Sequence, residues 1–477
     1  MFKKLTMTLL SGMLLVSMVA CDEGEEVQDT GEVIEYDIAV VGGGGAGLSA
    51  AVSAAEEGAE VVVVEKMPML GGNTLRATGG LNAAETTFQD EEGIEDSVDV
   101  FYEDTMTGGG EENDPELVEV MTENSASIVE WLTELGADLS DVGSMGGASN
   151  ARTHRPAGGE PVGPEVVTTL DAAAEEQGVD VLLETTVTEI LTDDEGKASG
   201  LQVEDEEGAF EINAESVIVT TGGFGGNEDM ITEYDAELEG YATTNHPGAT
   251  GSGIEIAQEI GVDVVDMDMI QIHPTVVEEG GNMITEAVRG NGAILVNKDG
   301  ERFVDELETR AVVSEAILNQ EGESAFLFFD EKVRDSLGAI EGYVDQGLVT
   351  KGESIEELAN ELEIPAEELE ETVEKYNSFV EEENDADFER ENMAMNLDEA
   401  SFYAIEITPA THHTMGGLNI NTEAQVIGED GEIIPGLYAA GECTGGIHGN
   451  NRLGGNALTD ITVFGRIAGQ NAASELE

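Results

Sequence analysis

Six residues able to bind or move protons around an anion, His273, Arg289, Arg310, His412, His413 and Arg452, fall within five short stretches: QIHPT, TEAVRGNG, ETR, HHTMGG and NNRLGGNA. The chain has only 18 Lys and Arg against 103 Asp and Glu, so a positive group placed at random would sit in acidic company. Gathered in Gly-bearing motifs, these groups predict a cationic pocket inside an anionic shell, which suits a small anionic substrate. Taken singly, each is equally well an ordinary ion-pair partner.

Elements able to position such a pocket are legible around them. From Val33 the chain reads VIEYDIAVVGGGGAGLSAAVSAAEEGAEVVVVEK: a strand, a Gly-rich turn, an Ala-rich helix and a buried strand from Val61 to Val64. Gly42, Gly44 and Gly47 give the G-x-G-x-x-G spacing, and Glu65 closes the second strand eighteen residues after Gly47. Such glycines permit a tight turn and close approach of backbone to a pyrophosphate at a helix N-terminus, while the acidic residue accepts hydrogen bonds from a ribose. An adenine dinucleotide is therefore expected. After a helical stretch around Trp131 and Gly-rich loops, further strands are expected at Val181 to Leu183 and Val217 to Thr221. SIEELANELE and PAEELEETVEKYNSFV have helical spacing, with Ser354 and Glu357 as a capping box and Pro365 in the first turn. GLYAAGE and RLGGNAL repeat the strand, Gly and acid logic near the C-terminus, so the cofactor domain is discontinuous.

A length of 477 residues allows two or three domains. The formal charge of −85 excludes nucleic acid as a natural partner, because the chain repels phosphate and has no basic stripe, and it points to a high-salt habitat. Residues 1–20 read as an export signal: Lys3 and Lys4, an apolar run from Leu5 to Val19, and Ala20 before Cys21. Cys21, followed by Asp22, Glu23 and Glu25, resembles a lipoprotein processing site, so an exported protein lipid-anchored to the outer face of the cytoplasmic membrane is expected. Residues 21–32 then form an acidic tether. No twin-Arg pair is present, so export of an unfolded chain and cofactor loading outside the cytoplasm are expected. With Cys21 and Cys443 alone, the chain holds no C-x-x-C-H haem site and no cysteine-ligated iron–sulfur cluster.

In order, VVGGGGAGLSAA, EKMPMLGGNT, TTNHPGATGSG, QIHPT, MITEAVRGNGAILVN, RFVDELETR, HHTMGG, AAGECTGG and HGNNRLGGNAL resemble the flavoprotein part of the soluble fumarate reductases of the flavocytochrome c type, without the haem domain. The resemblance runs from about Val33 to the C-terminus. It implies an α/β fold: a discontinuous Rossmann-like FAD-binding domain (33–269 and 412–477) with an inserted α+β capping domain (270–411). It implies reduction of the C=C bond of fumarate to succinate, with hydride from flavin N5. His273 and Thr285 would hold one substrate carboxylate, and His412 and Arg452 the other. Arg310 would be the proton donor, reprotonated through Glu286 and Arg289, while Met145 and Met283 press on the substrate. FAD would contact Gly42, Gly44, Gly47, Glu65, Asn73, Thr74, Gly79, Gly80, Val187, His413, Glu442 and Leu458. Related membrane-bound enzymes attach FAD through a His near LGGNT; Asn73, Thr74 and Leu75 offer none, so a non-covalent FAD is implied. The side chains of Thr414, Glu442 and Thr444 resemble part of a sodium site of the family.

Chemistry independent of the family supports the arrangement. Hydride addition to an activated C=C builds carbanion character on the neighbouring carbon, so a diacid is expected to need cations at both ends and a proton donor at that carbon. Guanidinium, with a free pKa above about 12, serves as that donor only toward a strongly basic centre and with prompt return of the proton. A purely electrostatic Arg310 and a structural Glu286–Arg289 ion pair are the plainer alternatives. Other readings are a reductase of a different 2-enoate, such as urocanate or methacrylate, the same site run as a dehydrogenase, and a dicarboxylate-binding lipoprotein. A separate electron donor, a cytochrome, FMN protein or quinol-linked protein, is expected because no second nucleotide fold is visible. His154, His246 and His448 read as loop histidines satisfied by backbone, and Cys443 as a small buried residue.

Overall fold

The computed structural model describes residues 29–390 and 392–476. The export signal and Cys21 lie outside them. Strand β1 (Asp29–Val41), helix α1 (Gly45–Glu56) and strand β2 (Val61–Val64) form the expected β-α-β unit. β1 begins four residues before Val33, because its backbone already pairs with Ala209 at Asp29; residues 29–32 are therefore strand and not tether. β3 (Asp180–Leu182) lies parallel to β2, and β4 (Gly208–Val219) lies parallel to β1. A late strand, Ile433–Ala439, joins the other edge of β4 in parallel. β2 and the Ile38–Val41 end of β1 are buried on both faces, which is why VVVV shows no alternation. Residues separated by some 200 positions thus complete one sheet, and the FAD-type domain is discontinuous as expected.

The second sheet is antiparallel at its centre. β5 (Ile270–Val277), carrying QIHPT, pairs with β6 (Phe402–Thr414), carrying HHT. Helix α2 (Arg310–Leu318) packs against β5 and β6. A separate apolar cluster under this sheet, including Ile284, Leu295, Phe328, Tyr376 and Ile405, gives the inserted unit its own core. The 411/412 boundary falls inside β6, which runs unbroken from the cap core into the cofactor domain. The helix Ile355–Glu361 has Ser354 as N-cap, but Glu357 reaches back to the amide of Glu353, not of Ser354, so the box is only half made. Pro365 is the N-cap of Ala366–Glu382, one place before its first turn. The chain ends in helix α3 (Asn456–Ser474), packed on α1 through Gly465 and Gly469, where a Cβ would meet the carbonyls of Ala46 and Ala50 at 2.5 and 2.2 Å.

Candidate functional site

Two cavities join into one cleft between the sheet ends and the cap. The first is walled by Gly42, Gly44, Glu65, Val187, the Thr220–Gly222 turn and His246. Gly42 has φ of 104°, and a Cβ on Gly47 would lie 2.0 Å from the Gly42 carbonyl oxygen, so helix and turn are in backbone contact. At Gly44, by contrast, a Cβ would meet nothing within 4 Å, and this N-cap of α1 makes no side-chain cap. The helix start thus presents open space, and of its first-turn amides Gly45 alone is held by a side chain among the described residues, which leaves the cradle an anion needs. Glu65 accepts from the amides of Gly43 and Met67, both at 2.8 Å, which fixes its carboxylate at the cleft wall. Thr74 accepts from the Gly45 amide at 3.0 Å, and Asn73 spans His246 N, Asn245 and Glu442. Asn73, Thr74, Glu442 and Ile461 line both cavities, so the cleft continues without a wall into the second. These residues fit FAD: an acid at the β2 end, an open helix N-terminus, and a passage to Gly79, Gly80, His413 and Leu458.

The second cavity encloses about 430 Å³, within the range of roughly 300–1,000 Å³ usual for small-molecule sites. Arg310, Glu286, His273, Thr285, His412, Arg452, Met145 and Met283 all line it. Their convergence rests on a bulge. The β5–β6 register jumps from Gln271↔His413 to Ile272↔Thr411, leaving His412 as the extra residue. Strand alternation would send His412 and His413 to opposite faces; the bulge re-aims one of them, and both reach the cavity.

Arg310 opens α2, donating through Nε to Glu286 Oε2 at 3.2 Å and through Nη1 to Gln271 Oε1 at 2.9 Å. Glu286 Oε2 lies 3.8 Å from Arg289 Nη2 on its other side. Burial pushes the Glu286 carboxyl up, but Arg310, Arg289 and Arg452 outweigh it and hold the group below its ordinary value. Arg289 sits behind the cavity wall, 1% exposed; burial pulls its guanidinium down, and its Nε and Nη2 make no hydrogen bond among the described residues. Its Nη1 donates to the Glu306 carbonyl, and its own carbonyl accepts from Arg390 Nη2 at 2.7 Å. The fully buried Glu306 carboxylate in turn pairs with Arg390 and Arg302, each at 2.8 Å. Arg289 is thereby gripped at backbone and side chain by one buried ionic network.

His412 Nδ1 lies 2.8 Å from Thr244 Oγ1, and His273 Nδ1 accepts from the Thr275 amide at 3.3 Å; the two rings meet edge to face at 5.2 Å. Burial drives His273, His412 and His413 well below the usual 6.5, with Arg452 or Arg310 adding to it, so all three are neutral donors or acceptors at pH 7. That corrects the expectation of a pocket made cationic by imidazole as well as guanidinium. The positive charge comes from arginine, and the His273–Thr285 end has no cation of its own beyond Arg310. Gln271, unnoticed in the sequence, links both arginines: its Oε1 accepts from Arg310 Nη1 and from Arg452 Nη2 at 3.1 Å, and its Nε2 donates to the Arg452 carbonyl at 2.8 Å. Period-2 alternation from His273 along β5 would have pointed to it.

On the cofactor side, His413 Nδ1 is 3.4 Å from Glu442 Oε1, its Nε2 has no hydrogen-bond partner among the described residues, and its ring meets that of His448. Burial raises the Glu442 carboxyl. Of the other oxygens in the sodium set, Thr444 Oγ1 donates to the Gly441 carbonyl and Thr414 Oγ1 accepts from the Phe224 amide. No group of three His, Cys, Asp or Glu able to hold a metal occurs among the described residues. His154 bonds to the Arg152 carbonyl and Thr86, and burial pushes it down to about 4. His246 accepts from the Gly248 amide but also lines the first cavity. His448 departs from the backbone-satisfied expectation: it pairs with buried Asp460 at 3.2 Å. Cys443 is buried, its thiol pushed up to about 12 by burial.

Comparison with known proteins agrees with this geometry. A family model described as an FAD binding domain matches residues 37–458. The chain is 49% identical over 438 residues to a fumarate reductase (cytochrome) of Shewanella frigidimarina, covering 92% of this chain and 77% of the relative. It is 46% identical to an NADH:fumarate oxidoreductase of Klebsiella pneumoniae, covering 92% of this chain and 48% of that longer protein. Among solved structures, the open conformation of a flavocytochrome c3 fumarate reductase superimposes with a TM-score of 0.83 at 43% identity, over 92% of this chain and 78% of the other.

Proposed function

Because the chain belongs to the FAD binding domain family and is an FAD-dependent oxidoreductase acting on C=C bonds, we propose that it reduces fumarate to succinate with electrons from a separate donor protein. The observation that carries this is the Arg310–Glu286 pair facing a cavity that also holds His273, Thr285, His412 and Arg452, continuous with the FAD cleft.

Bound FAD, held without a covalent link, supplies hydride from N5. Arg452 and His412 grip one carboxylate of the diacid, and His273 with Thr285 holds the other. Met145 and Met283 confine the carbons between these ends. Arg310 then gives its proton to the carbon that gains electron density, a step driven by the basicity of that centre. Glu286, ionised at rest and 3.2 Å from Arg310 Nε, takes a proton from Arg289 on its far side and hands it to the deprotonated Arg310. Gln271 keeps Arg310 and Arg452 in fixed relation, so that clamp and acid act on one substrate pose. The donor is a cytochrome, an FMN protein or a quinol-linked protein, and the N-terminal pattern supports an exported enzyme lipid-anchored outside the cytoplasmic membrane.

The decisive measurement is an absorbance spectrum of the purified holoprotein, reduced by a viologen dye and then challenged with a panel of enoates. Fumarate should reoxidise the flavin and yield succinate. Reoxidation by urocanate or an acrylate, with fumarate inert, would transfer the assignment to that acid; binding of diacids without reoxidation would leave a binding protein.

A further inference from the structure

Tyr343 lines the catalytic cavity and is 8% exposed, yet none of the roles above uses it. It stands on the helix Ala339–Asp345 of the cap, with its ring in the cap core. Its hydroxyl oxygen accepts from the Thr285 amide at 3.0 Å, and the O–H itself finds no acceptor among the described residues. A buried phenol rarely leaves its donor unused, because the lost water bond is not replaced. Here the oxygen's accepting role is filled by Thr285, so the proton is free to turn into the cavity. Burial pushes the phenol's pKa up, so it keeps that proton at neutral pH.

A carboxylate only accepts hydrogen bonds. The end of the cavity formed by His273 and Thr285 offers a neutral imidazole and a hydroxyl, fewer donors than the roughly four lone-pair sites of a carboxylate can take up. We propose that the Tyr343 hydroxyl binds the substrate carboxylate at the His273–Thr285 end directly, making it a selector for diacids over enoates that carry hydrogen or an alkyl group there. This rests on the fumarate reductase reading and deepens it.

The test is Tyr343→Phe in the FAD-loaded protein. A lost hydrogen bond to a charged partner corresponds to roughly ten- to a hundredfold in affinity. KM for fumarate and Kd for succinate, read from the flavin absorbance, should rise by that factor with kcat within about twofold of wild type. Turnover of acrylate, which has no carboxylate at that end, should not change. An unaltered succinate Kd would overturn the assignment, as would an equal loss for fumarate and acrylate. Thr285→Ala separates contact from positioning: a direct contact predicts that Tyr343→Phe costs the same factor again in the Thr285→Ala background, whereas no further loss means that Tyr343 merely holds Thr285. Wild-type protein that binds succinate but reduces only another enoate would end the fumarate reading while leaving Tyr343 a diacid contact; wild type that does not bind succinate would end both.

Discussion

Two glycines of one motif should fail for different reasons, and the contrast tests where FAD lies. At Gly44, φ is −78° and an added Cβ would meet no protein atom within 4 Å, so Gly44→Ala fits the apoprotein. Its cost to folding is the weaker N-cap alone, below about 1 kcal/mol. Yet Gly44 faces the cleft at the start of α1, where a pyrophosphate must approach the backbone. A methyl there should raise the FAD dissociation constant at least about tenfold, or 1.4 kcal/mol. At Gly47 the Cβ would lie 2.0 Å from the Gly42 carbonyl oxygen and 2.7 Å from Thr220 Oγ1. A carbonyl of a tight turn cannot yield as a side-chain tip can, so overpacking of about 1–3 kcal/mol or more is expected in apoprotein and holoprotein alike. Thermal melts of apoprotein, with FAD affinity from the fluorescence of released flavin, give both quantities. Gly44→Ala that loads FAD as wild type does, or that destabilises apoprotein as much as Gly47→Ala, would refute the placement of the cofactor on α1.

Arg310→Ala should lower turnover by about 10²–10⁴, the usual contribution of a positioned acid, while succinate binding falls less than tenfold; near-normal turnover would remove Arg310 as proton donor. Glu286 has a folded pKa depressed below its ordinary 4.5, so its carboxylate and the ion pairs it makes are present above that value and are lost as pH falls through the depressed one. The pH profile of kcat/KM should therefore show no acid limb from Glu286 above 4.5, and a higher limb that disappears in Glu286→Gln would contradict the site's electrostatics. With a formal charge of −85, the protein repels a dianion at long range, so kcat/KM for fumarate should rise between 0.1 and 1 M salt as the Debye length shrinks from about 10 to about 3 Å. A monotonic fall would mean that local attraction governs capture.

What the sequence made legible was local. The β1–α1–β2 unit announces itself because turn, helix start and ribose acid lie within one short segment, and its glycines have steric reasons that survive in three dimensions. The pocket residues were legible by type and motif, and all but Arg289 reach the cavity wall. Tertiary contact was not. Gln271 gained its role only when the fold brought to it Arg310 at the start of α2 and Arg452, 181 residues on in the stretch before α3. The bulge at His412 leaves no mark in HHT, since any residue can be the extra one in a mismatched pair. Glu306 looked like one more acid among 103, yet its surroundings make it the anchor of three arginines: Arg302 and Arg390 through its side chain, Arg289 through its carbonyl. Histidine charge was illegible for the same reason, because burial and nearby guanidinium set it.

The division of charge explains how so acidic a protein can hold an anion at all. Of ten arginines, Arg152, Arg289, Arg302, Arg390 and Arg452 are nearly or fully buried, and Arg310 opens onto the cavity. Four of these six lie in the chain around the acid–relay pair or in the network behind it, and Arg452 meets them through Gln271. Guanidinium suits this use because it keeps its charge when desolvated and forms several directed hydrogen bonds at once. The many surface carboxylates act over distances that salt shortens, whereas the cavity arginines act at contact, where ions do not intervene. A dianion therefore meets repulsion while it approaches and attraction once inside. Raising ionic strength removes chiefly the first, so a negative shell is compatible with a cavity that takes an anion.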